Sequence, residues 1–213
     1  MSDNQRIEPE SALIPASRIR TVSLVRGALL VALLAASALI TIPLGPVPFT
    51  AQTLVVMLIA LVCTPRQAVL VMGVYLAVGA AGMPVFSGAR GGIALLAGPT
   101  GGYLVGFAVG AVAGAVARRA LEGGCATQAG HGEHESAGGR RRAIADAVAV
   151  AVVIATTYGL GVAWLAQVTG SSPGAAVAGG MLPFLPADAA KALGALAVAR
   201  VLRRAGFADA SVC

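Results

Sequence analysis

Two ionisable residues stand apart in this sequence because they lie within an otherwise apolar helical pattern. Asp188 and Lys191 are three residues apart and therefore share one face of a predicted helix. Such a charge costs about 2.5–3.5 kcal/mol at a bilayer centre, so it usually faces the interior of a helix bundle and marks a functional site. A first-turn acid is also favoured by the helix dipole, which leaves a mutually neutralising structural pair as the alternative. The spacing favours a polar binding site.

The composition predicts a membrane setting for this pair. The 213 residues are 57% hydrophobic and 11% charged, with a mean hydropathy of +0.85. Soluble domains are about 45–50% apolar and about 25% charged. The figures exclude a disordered chain, a nucleic-acid binder and an ordinary cytosolic enzyme. The pI near 10 does not indicate nucleic acid, because the basic residues cluster at the ends of predicted loops.

The uncharged runs and their proline breaks predict an all-α, polytopic membrane protein with six transmembrane helices. A spanning helix needs about 17–25 apolar residues, and clustered prolines end a helix. The predicted spans are about 24–42, 49–64, 66–81, 100–117, 144–167 and 186–204. Together they form a domain over 24–204, with tails at 1–23 and 205–213 and a polar linker at 118–143.

Basic residues set the predicted orientation. Thirteen of the 15 lie on one side of the six spans, and the positive-inside bias makes that side the cytoplasm. Both termini and the polar linker are then cytoplasmic, in a multi-pass protein of the cell (inner) membrane. Only Arg90 lies in an opposite-side loop. A signal peptide cleaved near Ala36-Ser-Ala38 is the weaker alternative, because the preceding 26-residue tail is long for one.

The predicted outer side carries three irregular segments, 42–49, 82–99 and 170–186, which contain eight prolines. Non-helical backbone at membrane depth persists only where it is buried in protein or lines a cavity. The apolar residues in these segments favour loops that cap a ligand cavity over three ordinary exposed loops.

Small residues recur every four positions in two spans. Such spacing permits close helix association in lipid. Packing within the chain is the simpler interpretation, and contact with a separate subunit is the alternative. The two series are Gly102, Gly106, Gly110 and Gly114, and Ala28, Ala32 and Ala36.

Motifs for catalysis are missing. The sequence has no Walker A loop, H-E-x-x-H, C-x-x-C or G-x-S-x-G, so we expect neither an enzyme nor a cofactor. Three cysteines without metal spacing predict no disulfide framework. His131-Gly-Glu-His134 is more typical of a solvated linker than of a metal site. Asp146 is interpreted as a first-turn acid with no role in binding.

Four segments carry a family resemblance. They are IPLGPVPFTAQT (42–53), YLAVGAAGMPVF (75–86), GG (91–92) followed by GPTGGYL (98–104), and LPFLPADAAK (182–191). In this order and spacing, over about residues 24–204, they resemble the BioY biotin-transporter family. Its members are substrate-binding (S) subunits of energy-coupling-factor (ECF) transporters. Two departures are the long linker between spans 4 and 5 and the basic residue Arg90.

The resemblance implies a six-helix bundle that captures biotin from outside for uptake. Its partners would be the lipid bilayer, a transmembrane coupling subunit and two cytoplasmic ATPase subunits. In the family, the Asp and Lys of the last motif contact the ligand, which carries over to Asp188 and Lys191. We expect Asp188 to accept from the ureido N–H groups and Lys191 to meet polar oxygens, with Arg90 as a candidate second cation.

Further candidates come from the same motifs. The expected donors are Gln52, Thr100 and Tyr103, and the expected walls are Phe49 and Phe86. For the coupling subunit, the resemblance implies an alanine-spaced face of helix 1, with Ala28 and Ala32 as docking residues. Three alternatives stay open: an S subunit for another vitamin, a membrane scaffold without ligand and, third, a membrane enzyme. A cationic vitamin is disfavoured by Lys191.

Overall fold

The computed structural model is built mostly from helices and describes residues 16–43, 45, 47–123 and 135–207. Its elements are α1 (Ala16–Ser37), β1 (Thr41–Ile42), β2 (Phe49–Thr50), α2 (Gln52–Val62), α3 (Pro65–Ala80), α4 (Ala94–Ala97), α5 (Gly101–Glu122), α6 (Glu135–Thr169), α7 (Pro173–Gly180) and α8 (Leu185–Arg204). The predicted linker cluster at His131–His134 lies outside the described residues, as do Cys125, Cys213 and most of both predicted tails.

Six of these helices, α1, α2, α3, α5, α6 and α8, correspond to the six predicted spans. The largest difference is in α6, which begins at Glu135 and continues through three arginines that favour helix. Hydropathy detects only the apolar part of such a helix. Asp146 therefore lies three turns inside α6, where it is buried and paired with Arg203. The interpretation of Asp146 as a first-turn acid is wrong.

Short elements replace much of the predicted irregular backbone. α7 begins where the Ser172 hydroxyl accepts from the Ala175 N–H and Pro173 occupies the first turn. The strands β1 and β2 form an antiparallel pair in which Thr41 lies opposite Thr50 and Ile42 lies opposite Phe49. This hairpin brings Phe49 and Thr50 over the ends of the helices that the sequence predicts to be outer, and these are called the outer ends below.

The short helix α2 forms the centre of the bundle. From Val55 to Val62 every side chain is buried, so the helix is enclosed on all sides. It packs against α1, α5, α6 and α8. A smaller cluster with Tyr103, Tyr158 and Phe184 lies towards the hairpin.

The glycine series of α5 faces α6 within the chain, as the simpler interpretation predicted. A β-carbon on Gly106 would lie 2.8 Å from the Thr157 Cα, and one on Gly102 would lie 2.2 Å from the Trp164 Cβ. The alanine series of α1 differs. Ala28, Ala32 and Ala36 are all exposed on the outside of the bundle.

Length and hydropathy identify two described helices as long enough to cross a membrane, Gly101–Glu122 and Gly139–Thr169. α7 and α8, bent by 50° at their junction, qualify together as a third. Thr21–Ser37, α2 and α3 are apolar but shorter. These helices are those of a membrane protein, and the count of six spans remains a prediction.

Candidate ligand-binding site

A cavity of about 50 Å³ lies where the hairpin meets the outer ends of α2, α5, α6 and α8. The hairpin and the residue before α8 contribute aromatic and apolar side chains, and α2, α6 and α8 contribute polar ones. Six of the eight predicted ligand residues line it: Phe49, Gln52, Thr100, Tyr103, Asp188 and Lys191.

The polar wall of the cavity is centred on the Asp188 carboxylate, which is only 2% exposed. Its Oδ1 accepts from the Thr53 hydroxyl at 3.0 Å and from the Lys191 Nζ at 2.8 Å. Its Oδ2 accepts from the Tyr158 hydroxyl at 2.5 Å. An ionised carboxylate has about four acceptor positions. Three protein donors leave about one of them for an N–H group of a ligand.

The Lys191 ammonium joins this wall to the hairpin. It donates to Asp188 Oδ1, to Thr53 Oγ1 at 2.8 Å and to the Thr50 carbonyl oxygen at 2.7 Å. Its Nζ lies 3.8 Å from the centroid of the Phe49 ring, a cation–π contact. All three ammonium protons have protein acceptors. A ligand oxygen can take one of them only by displacing Thr50, Thr53 or Asp188.

The apolar wall is aromatic. Phe49 and Phe184 stack with their centroids 6.2 Å apart and their planes at 5°. Tyr103 meets Tyr158 edge to face, with centroids 6.4 Å apart. Tyr103 was predicted as a donor, but its hydroxyl already donates to the Gly180 carbonyl at 2.8 Å. It presents its ring to the cavity, and Gly161 leaves room because a β-carbon there would lie 2.4 Å from that ring.

The hydrogen-bond directions around Gln52 show which end of its amide is committed. The Tyr75 hydroxyl donates to the Val85 carbonyl at 2.9 Å, so it can only accept from the Gln52 Nε2. One of the two Gln52 N–H groups is therefore used within the protein. The second N–H and the carbonyl oxygen remain as a possible donor and acceptor for a ligand, so the donor role predicted for Gln52 stays a prediction.

Two predicted ligand residues lie apart from the cavity lining. Phe86 is buried in the core, edge to face with Tyr75, and its ring occupies the space that a side chain at Gly79 would need. Arg90 is exposed on an outer cleft, where its Nε donates to the Ser87 carbonyl at 3.2 Å. Phe86 was predicted from its motif and Arg90 as a second cation, but the short turn in which Phe86 pairs with Arg90 directs both elsewhere.

Comparison with known families and proteins gives a concordant result. Residues 10–207 match the BioY family. The chain belongs to the BioY family. It is 33% identical over 186 residues to the probable biotin transporter BioY of Pyrococcus horikoshii, covering 87% of this chain and 98% of that one. It is 36% identical over 190 residues to the biotin transporter BioY of Rhizobium etli, covering 87% and 92%.

A solved structure shows the same fold. The structural match is to the 2.1 Å crystal structure of the S-component for biotin from an ECF-type ABC transporter. The TM-score is 0.74 at 22% sequence identity, with 87% of this chain and 93% of that chain covered. The fold of this BioY-family chain is therefore that of an S-component.

Among the site residues that sequence reasoning missed in this BioY-family chain are Thr53, Tyr158 and Phe184. Thr53 and Phe184 lie inside the motifs that were quoted, so their neighbours provided a signal. Tyr158 had none, because α6 is apolar along most of its length and no pattern shows which face turns inward. Within the described residues, no group of three or more His, Cys, Asp or Glu side chains is placed to hold a metal.

Proposed function

We propose that this chain captures biotin as the substrate-binding S component of an ECF-type vitamin transporter. The observation that carries the proposal is the buried set of Asp188, Lys191, Thr53 and Tyr158 inside an aromatic cavity. The BioY family membership and the names of the two relatives support biotin as the ligand. The role is binding and uptake in the cell (inner) membrane, without a catalytic step.

The chemistry of biotin suits these groups. Its bicyclic ring offers an apolar surface to Phe49 and Phe184, and its ureido N–H groups need acceptors. The open acceptor position of Asp188 and the Gln52 carbonyl oxygen supply them. Known ligand pockets have volumes of about 300–1,000 Å³, whereas this cavity has about 50 Å³. Because this cavity is smaller, we expect the hairpin wall that Lys191 holds through Thr50 to move when biotin binds.

We also propose six spans with both termini in the cytoplasm. Three arginines on different helices meet backbone carbonyls at one end of the bundle. Arg26 donates to Gly206, Arg118 to Cys63 and Arg203 to Leu61, at 2.8, 3.3 and 2.8 Å. Asp188 and Arg203 lie near opposite ends of α8, about 22 Å apart along its axis. This supports a ligand site that opens away from the basic, cytoplasmic end.

Energy for uptake comes, in this proposal, from a transmembrane coupling subunit and two cytoplasmic ATPase subunits. The exposed Ala28 and Ala32 of α1 support a flat docking face for the coupling subunit. Small side chains allow a partner helix to approach closely in lipid.

Equilibrium binding of labelled biotin to the purified protein tests the proposal. We expect Asp188→Asn to weaken binding about tenfold or more, equivalent to about 1.4 kcal/mol, because the carboxylate loses charge and acceptor capacity. Arg90→Gln is the control, since this exposed side chain lies outside the cavity, and should change affinity by no more than about twofold.

These binding measurements distinguish the proposed function from the role of Asp188. A wild-type protein that binds thiamine or riboflavin in place of biotin, or no ligand, contradicts the proposed function. Unchanged affinity in a folded Asp188→Asn variant contradicts the role of Asp188 alone.

A further inference from the structure

Thr157 of α6 lines the cavity, and its hydroxyl is buried without a hydrogen-bond partner among the described residues. Its side chain is 2% exposed. Burying a hydroxyl without a partner costs about 1–3 kcal/mol, and most buried side-chain polar atoms in proteins are paired. Each exception in a native structure calls for a physical reason.

Neighbouring threonines show that pairing within the helix is available. The Thr156 hydroxyl donates to the Val152 carbonyl at 2.7 Å, and the Thr169 hydroxyl donates to the Leu165 carbonyl at 2.7 Å. This bond to the preceding turn is the usual way for a helical threonine to satisfy its hydroxyl. Thr157 does not form it, and its side chain lines the cavity instead.

The α6 backbone at Thr157 is packed tightly against α5. Gly106 of α5 lies so close that a β-carbon there would be 2.8 Å from the Thr157 Cα. α6 therefore cannot rotate Thr157 away from the cavity without breaking the contact between the two helices. Leu104 and Phe107 of α5, one and two turns from its outer end, line the same part of the cavity.

Several other donors of the wall are already committed. Lys191 donates all three protons to Thr50, Thr53 and Asp188. Tyr158 and Thr53 donate to Asp188. The Tyr103 hydroxyl donates to Gly180. The Thr157 proton has no such acceptor.

We propose that Thr157 is a ligand-binding residue whose hydroxyl donates to the carbonyl oxygen of a cyclic urea. This inference rests on the proposed function. Within a urea, the carbonyl oxygen and the N–H groups are bonded to the same carbon. Tyr158 binds Asp188, and Thr157 directly precedes Tyr158 in the same cavity wall, so a ligand whose N–H meets Asp188 can bring its oxygen to the Thr157 hydroxyl.

Two measurements on purified protein test this: the melting midpoint without ligand, and the Kd for biotin and for desthiobiotin, which keeps the cyclic urea but lacks the sulfur. Thr157→Val removes the hydroxyl at nearly constant volume, and Thr157→Ser keeps it. Thr156→Val is the matched control, because that hydroxyl is satisfied within its own helix.

For Thr157→Val we expect the midpoint without ligand to rise by about 2 °C or more, because an unpaired buried hydroxyl is removed. We expect both Kd values to rise by about tenfold, because a site built to hydrogen-bond a polar group discriminates through that bond. Thr157→Ser should bind within about threefold of wild type. Thr156→Val should leave both Kd values unchanged and should not raise the midpoint.

Each other outcome overturns a part of the inference. Unchanged Kd values in Thr157→Val overturn the ligand contact, and a loss confined to biotin overturns the assignment to the urea oxygen. A lowered midpoint shows a hydroxyl that is already satisfied, and overturns the premise. Because the midpoint needs no ligand, a wild-type protein that fails to bind biotin contradicts the proposed function separately.

Discussion

At the scale of single residues, Asp188 connects three helices through one carboxylate. Its donors are Thr53 of α2, Tyr158 of α6 and Lys191 of α8. A buried ion pair gives little net stability, but the loss of one partner leaves an unpaired buried charge. The same bonds that present Asp188 to a ligand also fix the positions of these helices. Ligand binding and helix packing are therefore coupled at this residue.

Tyr75 positions a ligand residue without lining the cavity itself. Tyr75→Phe removes the acceptor of the Gln52 amide and the donor to the Val85 carbonyl. The amide is then free to rotate, and we expect biotin affinity to fall about fivefold, near the 1 kcal/mol typical of one hydrogen bond. Equilibrium binding measures this change.

Thr41→Val is the control for Tyr75→Phe. The Thr41 hydroxyl accepts from the Gly88 N–H, so it holds the same outer segment without touching Gln52. We expect this variant to bind biotin as wild type does. An equal loss of affinity in both variants would assign the effect to the outer segment, and no loss in Tyr75→Phe would exclude the positioning role.

The sequence could predict Asp188 and Lys191 because charges are rare in an apolar helix. It could not predict Tyr158 or Thr157. Which face of α6 turns inward depends on its packing against the glycines of α5, and the apolar sequence of α6 carries little periodicity to show it. Nor could it predict that the Tyr103 hydroxyl donates to the Gly180 carbonyl and one Gln52 N–H to the Tyr75 hydroxyl, since hydrogen-bond direction depends on neighbours that are distant in sequence.

At the scale of elements, the contact between α5 and α6 shapes the cavity. Gly106→Ala would place a β-carbon 2.8 Å from the Thr157 Cα and 3.1 Å from its carbonyl oxygen. Both contacts are with backbone, so α6 itself must move. We expect a loss of about 1–3 kcal/mol in stability, as for overpacked cores, together with weaker biotin binding. Thermal unfolding and equilibrium binding measure the two effects.

Gly73→Ala provides a matched substitution in α3, where an added β-carbon meets nothing within 4 Å. Alanine favours helix over glycine by about 1 kcal/mol, so this variant should be as stable as wild type or more stable. The two substitutions thus have opposite expected signs. A stable Gly106→Ala variant with normal binding would show that α5 and α6 can separate without affecting the site.

Element boundaries show where hydropathy is informative. It located six helices because proline clusters and charges interrupt the apolar runs. It missed α7, whose sequence is rich in glycine and alanine, although Ser172 and Pro173 are a typical helix start. It also missed the first turns of α6, because a helix that extends beyond the apolar region looks like a polar linker.

At the scale of the whole molecule, the two ends of the bundle have different chemistry. The outer end holds the candidate ligand cavity, and the other end holds the buried Arg118 and the partly buried Arg203. Arg203 pairs with Asp146 at 2.6 and 2.7 Å and also donates to the Leu61 carbonyl at the end of α2. The central helix is thus held at one end by arginines and at the other by the Asp188 network, so α2 is placed to couple the candidate site to the arginine end.

The exposed surface of α1 provides the last prediction, because the proposed docking face and the candidate ligand cavity lie in separate parts of the molecule. Ala28 is exposed, whereas Leu30 and Leu34 on the same helix are buried in the core. A tryptophan at position 28 projects outward and leaves the cavity intact. We expect Ala28→Trp to bind biotin normally but to lose co-purification with the coupling subunit and biotin uptake by cells. Ala155→Trp, on the exposed face of α6, is the matched control and should keep all three activities. Loss of biotin binding in Ala28→Trp, or equal loss of docking in both variants, would exclude a docking face at this position of α1.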